Sequence, residues 1–194
     1  MIAAIVLAAG QSKRMGRPKQ LLQVGKETML GRVLQTFRES RVDRTVVVLG
    51  AEASKVRKNL KLRDETVVIN MDYRAGMSVS LKVGLRAVEK EADAVIIALG
   101  DQPFISRKTI DAMIGAYLRK KPGVVVPVYR GRRGNPVLFD RSLFRQLGEI
   151  TGDIGAKSVV LKNESNLVEL EVDDEGVVLD IDTPEDYTAA LPMR

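Results

Sequence analysis

The 194-residue chain contains no cysteine, no histidine and no tryptophan, and aromatic residues make up only 4% of it. Without thiols or imidazoles it has no disulfide, no thiolate nucleophile, no zinc site of the usual ligand types and no histidine acid–base pair. Any metal must sit on oxygen, which points to Mg2+ or a similarly hard cation held by carboxylates and shared with phosphate oxygens. The shortage of rings leaves few platforms for stacking nucleic-acid bases. No apolar stretch reaches membrane-spanning length. Residues 2 to 9 are apolar, but no Lys or Arg precedes them and the cations follow instead, unlike a secretory signal. A cytoplasmic protein with neither a membrane nor a nucleic-acid partner is expected. No repeat or low-complexity linker interrupts residues 1 to 194, which read as one domain.

What the chain does have is an ordinary globular share of apolar residues, 45%, and 29% charged residues with a net charge of +6. The surplus cations, as at Arg57-Lys58 and Arg119-Lys120-Lys121, are scattered along helical segments and read as a solvated surface. Apolar runs at 2 to 9, 45 to 49, 66 to 69, 94 to 99 and 124 to 128 alternate with helical patterns. Runs apolar along their whole length fit strands buried on both faces, so the alternation predicts an α/β, three-layer, Rossmann-like fold around a mostly parallel sheet. Thr28 is placed to cap the helix of Leu30, Val33, Leu34 and Phe37, and Ser106 that of Ile110, Met113, Ile114 and Tyr117. After Pro127 the rhythm changes. The basic stretch Tyr129 to Asn135, between β-prone runs 124 to 129 and 137 to 139, predicts a small β-ribbon insertion. Runs 167 to 172 and 176 to 180, parted by Asp173-Asp174-Glu175-Gly176, predict a late hairpin. Thr183-Pro184-Glu185 opens the last helix, with Asp186 at the capping-box position where Glu is more usual.

The first twenty residues are the most informative. The run Ile2 to Ala9 stops at Gly10 and gives way to Gln11-Ser12-Lys13-Arg14-Met15-Gly16-Arg17-Pro18-Lys19, a buried strand feeding a glycine-hinged cationic loop. At the carboxyl end of a strand in an α/β sheet such a loop lies where ligands bind, and its N–H groups and cations can surround a polyphosphate. It is not a Walker A loop, since neither Lys-Ser nor Lys-Thr follows Gly16, and Ser12 stands where G-x-G-x-x-G needs its second glycine. Asp101 follows the run Ala94 to Leu99 and Gly100, so its carboxylate projects from the same sheet edge, beside the loop if the two strands are neighbours. There it reads as a metal ligand bridging phosphates or as a turn or helix cap. Asp180 and Asp182 alternate about Ile181 and so point the same way, as a second carboxylate pair or as solvation and charge at a helix N-terminus. Gly76, Ser78 and Ser80 precede the helical pattern of Leu81, Leu85 and Val88. Small groups there let a base or ribose approach, and Ser78 also reads as an N-cap.

In this order the segments resemble the nucleotidyltransferases that make molybdenum cofactor dinucleotides, in particular their cytidylyltransferase branch. The resemblance runs from Leu7-Ala8-Ala9-Gly10-x-Ser12-x-Arg14-Met15-Gly16-x-x-Lys19 through Gly76-Met77-Ser78-x-Ser80-Leu81 and Gly100-Asp101-Gln102-Pro103. It continues through Arg133-Gly134-Asn135-Pro136-Val137 and Gly152-Asp153-x-Gly155-Ala156 to Asp180-Ile181-Asp182-Thr183-Pro184-Glu185-Asp186. It implies a nucleotidyltransferase fold and Mg2+-dependent transfer of CMP from CTP to the molybdopterin form of the molybdenum cofactor, releasing pyrophosphate. The implied catalytic set is Arg14, Lys19, Asp101 and Asp182, with Asp101 and Asp182 holding the metal, Asp180 a neighbour, and Arg14 and Lys19 on the β- and γ-phosphates. Leu7, Ala8, Ala9, Gly10, Gly76 and Ser80 would line the nucleotide. Arg132, Arg133, Asn135 and Lys157 would face the terminal phosphate of the acceptor. Asn135 stands where relatives often carry His, and Ala9 where guanylyl-transferring relatives tend to have Gly. A molybdoenzyme or a chaperone is the implied recipient of the product, and the oligomeric state is left open. No general base is required, because a phosphate monoester is already anionic at neutral pH. GMP transfer to the same cofactor, transfer to a sugar or polyol phosphate, and a nucleotide- or nucleic-acid-binding regulator are the competing readings. The Arg130 to Arg133 run fits either a solvated hairpin tip or a substrate contact.

Overall fold

The computed structural model describes residues 1–153 and 155–191. Along the chain, β1 (Ile2–Ala8) leads through a loop to the short antiparallel pair β2 (Gln23–Val24) and β3 (Glu27–Thr28), then to α1 (Met29–Glu39), β4 (Arg44–Leu49), α2 (Ala53–Asn59) and β5 (Thr66–Ile69). Next come α3 (Met77–Arg86), β6 (Ala94–Leu99), α4 (Arg107–Lys120), β7 (Val124–Tyr129), β8 (Arg132–Arg133) and β9 (Val137–Asp140). The chain ends with α5 (Phe144–Glu149), α6 (Lys157–Lys162), β10 (Leu167–Glu171) and α7 (Pro184–Ala190).

The main sheet runs in the order β10-β7-β9-β6-β1-β4-β5. β1, buried at every position, pairs in parallel with both β4 and β6. Its even and odd residues serve two different cores. Ala4, Val6 and Ala8 pack with Leu30, Leu34, Val56, Ile110 and Met113 from α1, α2 and α4 on one face. Ala3, Ile5 and Leu7 pack with Leu81, Leu85, Leu147 and Val159 from α3, α5 and α6 on the other. The three layers and the uninterrupted apolar strands thus have one cause, a central strand covered on both sides. The expected caps form. Thr28 Oγ1 accepts from the Gly31 N–H and Ser106 Oγ from the Thr109 N–H, each cap contributing about 1 kcal/mol. Thr183 and Asp186 close the full reciprocal box, Asp replacing the more usual Glu. Among the described residues no helix is long and apolar enough to cross a membrane.

The second half departs from the expected pattern. The ribbon of β7 and β8 exists, but 137 to 140 do more than close it. As β9 they enter the main sheet, antiparallel between β6 and β7. The late hairpin does not form. β10 pairs in parallel with β7, and Glu175–Val178 is a turn of 3-10 helix. The acidic turn is held elsewhere: the Asp174 carboxylate accepts from the Gly176 N–H, the Ser106 N–H and the Thr109 hydroxyl, tying it to the start of α4. A third, small core of Leu22, Val24, Met29, Ile181 and Ala190 joins the β2–β3 pair to α7. It fixes the segment before α7 beneath the N-terminal loop.

Candidate active site

The chain leaves β1 outward to β4 and β5 and returns on the other side of β1 as β6, so the loops after β1 and β6 part around a crevice. Leu7 lies in register with Leu99, which makes the Gly10 loop and Gly100-Asp101 neighbours, the condition the sequence reading required. A cavity of about 630 Å³ opens there. Leu7, Ala8, Ala9, Gly10, Gly76 and Ser80 line it, and so do all four charged groups of the expected catalytic set, Arg14, Lys19, Asp101 and Asp182.

The loop owes its shape to residues other than the expected hinge. Gly10 has no positive φ, and a Cβ there would meet nothing within 4 Å, so its glycine leaves room rather than a turn. Ser12 (φ 52°) and Gly16 (φ 64°) make the left-handed turns on either side of the 3-10 turn Lys13–Met15. Ser12 Oγ accepts from the Lys19 N–H at 3.1 Å. Gln20, 3% exposed, donates from Nε2 to the Ala8 and Gly10 carbonyls at 2.9 and 3.2 Å. This buried amide folds the loop back over the end of β1 and went unnoticed in the sequence, where it is one polar residue after a basic run.

The folded-back loop delivers Lys19 between two carboxylates. Its Nζ donates to Asp101 Oδ2 at 2.5 Å and to Asp182 Oδ1 at 2.8 Å, while Arg14 Nη2 donates to Asp182 Oδ2 at 3.0 Å. Burial works against the Lys19 ammonium, but Asp101 and then Asp182 outweigh it and hold its pKa above the ordinary lysine value. The hydrogen bond from Lys19, assisted by the charges of Lys19 and Arg14, lowers the Asp182 pKa. Asp180 behaves oppositely. Desolvation and the charge of Asp101 raise its pKa, with the hydrogen bond from Gln102 Nε2 at 2.5 Å opposing. Although 180 to 182 lie outside any strand, the expected alternation holds: Ile181 is fully buried, its N–H donates to the Asp101 carbonyl at 3.1 Å, and both neighbouring aspartates line the cavity.

The donor set fits a hard divalent cation. Asp101 Oδ1 is buried and has no hydrogen-bond partner among the described residues, an unused acceptor in a place where one is costly. The other Asp101 oxygen and Asp182 already converge on one cationic atom, Lys19 Nζ. Among the described residues no three carboxylates are placed to hold one metal ion together, so the remaining ligands would come from phosphate and water, as hard cations accept.

At the far end of the cavity, α3 begins one residue after Gly76, which is its N-cap at φ 106°, a conformation that L side chains avoid. Ser78 is therefore inside the helix and is not the cap; its N–H donates to the Gly152 carbonyl. Asp153 Oδ1 takes the neighbouring Met77 N–H at 3.1 Å. Ser80, buried, lines the cavity and accepts a hydrogen bond from Asn70, a buried residue the sequence reading passed over. The signal was there: like Asp101, Asn70 is a polar residue just past the carboxyl end of an apolar strand.

A second cavity of about 360 Å³ shares Leu7, Met77, Leu99 and Asp153 with the first. Val126, Val137, Val160 and Leu161 give it an apolar lining, and Arg133, Asn135 and Lys157, three of the expected acceptor contacts, are brought together on its wall. The Arg133 guanidinium, however, is engaged. It donates to both carboxylate oxygens of Glu164 at 2.5 and 2.8 Å and to Glu169 at 2.6 Å, and those bonds raise its pKa further. Arg132 is exposed in β8 and outside this lining.

Residues 4–167 match the family described as MobA-like NTP transferase domain. Rv0371c from Mycobacterium tuberculosis H37Rv has a crystal structure that superposes with a TM-score of 0.89 at 36% identity, covering 98% of this chain and 97% of that one. A manganese complex of the same protein superposes with a TM-score of 0.85 at 33% identity, covering 100% and 99%. Nicotine blue oxidoreductase of Paenarthrobacter nicotinovorans is 31% identical over 95% of this chain and 93% of its own length. Molybdenum cofactor cytidylyltransferase of Escherichia coli (strain K12) is 27% identical over 97% and 95%. The last two names fall in different reaction classes, so what they share with this chain is the family and not a named substrate.

Proposed function

Because the chain belongs to the MobA-like NTP transferase family, we propose that this nucleotidyltransferase moves CMP from CTP to a molybdopterin-type cofactor, with Mg2+ as its cation. The observation that carries the reading is Lys19 held between Asp101 and Asp182 at the end of a cationic loop, in a cavity that opens into an apolar one. Asp101 and Asp182 would hold the cation, which when bound neutralises phosphate oxygens and the departing pyrophosphate. Lys19 and Arg14, released from the aspartates, would pair with the β- and γ-phosphates and stabilise charge that grows there as the α-phosphorus is attacked. The attacking oxygen belongs to an already anionic phosphate, so a chain without histidine loses nothing by lacking a base. Lys157 and Asn135 would position that phosphate, with the acceptor body against Val126, Val137 and Val160.

The Ala9 methyl supports CTP over GTP. A Cβ added at Gly50 would lie 2.8 Å from Ala9 Cβ and 2.6 Å from Tyr73 Cβ, so Ala9 has no room to shift toward Gly50, and its methyl would stand against a larger base in the cavity it lines. The reaction would take place in the cytoplasm, with a molybdoenzyme or chaperone receiving the product. A single-turnover assay of pyrophosphate release tests the reading, offering CTP or GTP with the molybdenum cofactor, a sugar phosphate or a polyol phosphate. Release with CTP and the cofactor is expected. Release only with a sugar or polyol phosphate would overturn the acceptor, and equal use of GTP would overturn the base.

A further inference from the structure

We propose that Asn70 sets nucleotide specificity by fixing which way the Ser80 hydroxyl points. The inference rests on the reading of Ser80 as a base contact and reaches one residue behind it. Asn70 directly follows β5 and is 2% exposed; Ser80, in the first turn of α3, is 4% exposed. The Asn70 backbone is pinned, its N–H donating to the Leu49 carbonyl at 2.7 Å. Its side-chain Oδ1 accepts from the Asp72 N–H at 2.9 Å. A backbone N–H can only donate, so this contact identifies the oxygen of the amide and leaves Nδ2 as the other corner. Nδ2 donates to Ser80 Oγ, 2.9 Å away. That bond uses a lone pair of the hydroxyl, and Ser80 Oγ makes no other hydrogen bond among the described residues. The hydroxyl proton is therefore free to point into the cavity that Ser80 lines.

A donor held at that point selects by polarity. Cytosine carries an unprotonated ring nitrogen at the centre of its Watson–Crick edge, whereas uracil, of the same size, carries an N–H there, and so does guanine. An O–H that cannot turn round accepts cytosine and faces the others donor to donor, leaving buried groups unpaired. That is the situation in which hydrogen-bonding sites discriminate steeply. Ala9 sorts bases by size; Asn70, through Ser80, sorts pyrimidines by hydrogen-bond polarity. Asn70 touches no nucleotide in this scheme and is a positioning residue.

Asn70→Asp replaces the Nδ2 donor with an oxygen of nearly the same shape and keeps the acceptor for the Asp72 N–H. Assayed at about pH 8 to keep the buried carboxyl ionised, it turns the Ser80 proton away from the cavity. The ratio of kcat/KM for CTP over UTP should fall about tenfold or more. Asn70→Ala removes the donor without adding a charge, should lower the same ratio severalfold, and keeps the test decisive if the Asp variant does not fold. Both effects should vanish in a Ser80→Ala background, where the hydroxyl they act through is gone. If Ser80→Ala by itself leaves the CTP:UTP ratio unchanged, Ser80 does not read the base, and the base-contact reading and this proposal fall together. If Ser80→Ala changes the ratio but the folded Asn70 variants do not, or slow CTP and UTP equally, the proposal alone is overturned.

Discussion

Around the larger cavity the side chains that matter are charged and joined to one another, with Lys19 between Asp101 and Asp182 and Arg14 on the outer oxygen of Asp182. Around the smaller one they are Val126, Val137, Val160 and Leu161, with Lys157 and Asn135 on the wall and Arg133 bound to two glutamates. Under the proposed function, the contrast follows from what each end would recognise. A triphosphate is the same in every NTP, and the groups that neutralise it work best when charged and positioned beforehand, so the fold assembles them against each other. An acceptor differs from enzyme to enzyme, and shape with apolar contact distinguishes it, with only a few polar groups to orient it. On that reading the charged groups around the triphosphate are general machinery, and choice is left to the groups around the base and to the acceptor end.

The sharpest attempt to break this contrast is Asp101→Asn, which removes charge from the larger cavity with almost no change of shape. Turnover should fall by about 10²- to 10³-fold while circular dichroism stays unchanged, and Asp182→Asn should lose activity in the same way. Near-normal activity in a folded Asp101→Asn variant would show that the assembled charges are structural. Next come the cations. Lys19→Ala should cost about 10²-fold in kcat/KM for the nucleotide and Arg14→Ala, whose side chain is 67% exposed, about tenfold, with acceptor KM nearly unmoved. Separate titration of the two substrates decides it, and a loss confined to the acceptor would reverse the two ends.

At the acceptor end the expected effects are smaller. Lys157→Ala should raise acceptor KM about tenfold, because it removes a cation from the apolar wall. Arg133→Ala should raise it less, about threefold at most, because the guanidinium is held by Glu164 and Glu169; its larger effect should be a Tm lower by about 2 °C as β8 loses that anchor. Equal KM effects would mean that Arg133 leaves its glutamates for the acceptor. Ala9→Gly should reduce the CTP:GTP preference by about threefold to tenfold, read as relative kcat/KM, by opening space against the backbone.

The smallest effect expected is in stability. The folded state of Asp180 binds its proton more tightly than the unfolded chain does, so stability falls as pH rises from the unfolded pKa through the raised folded value, and the penalty is complete above it. Asp180→Asn removes that penalty. Thermal melts should show the variant more stable on the order of 1 °C at neutral pH, with the difference disappearing below about pH 4. Lower stability at neutral pH would mean that the Gln102 hydrogen bond outweighs the crowding of carboxylates.

The sequence alone was enough for the features that depend on neighbours along the chain. The apolar runs that became β1, β4, β5, β6 and β7, the Thr28, Ser106 and Thr183 caps, and the alternation of Asp180 and Asp182 about Ile181 all follow from local periodicity and local hydrogen bonding. The ordered motifs went further and indicated which residues would gather around the larger cavity. What only the tertiary structure decided is the pairing across long stretches of chain. Residues 137 to 140 could have formed one arm of a local ribbon, and the sheet between β6 and β7 claimed them as β9. Residues 176 to 178 had the apolar character of a strand, but Asp174 found better partners at the start of α4, and no hairpin closed. Arg133 read as a cation awaiting an acceptor until the fold set Glu164 and Glu169 beside it. Gln20, Asn70 and Gln102 carry at most a positional signal in the sequence, and burial at the sheet edge decided which neighbour each of their amides holds. Periodicity reports which side of an element faces inward. The partner a buried polar group finds there depends on the whole fold.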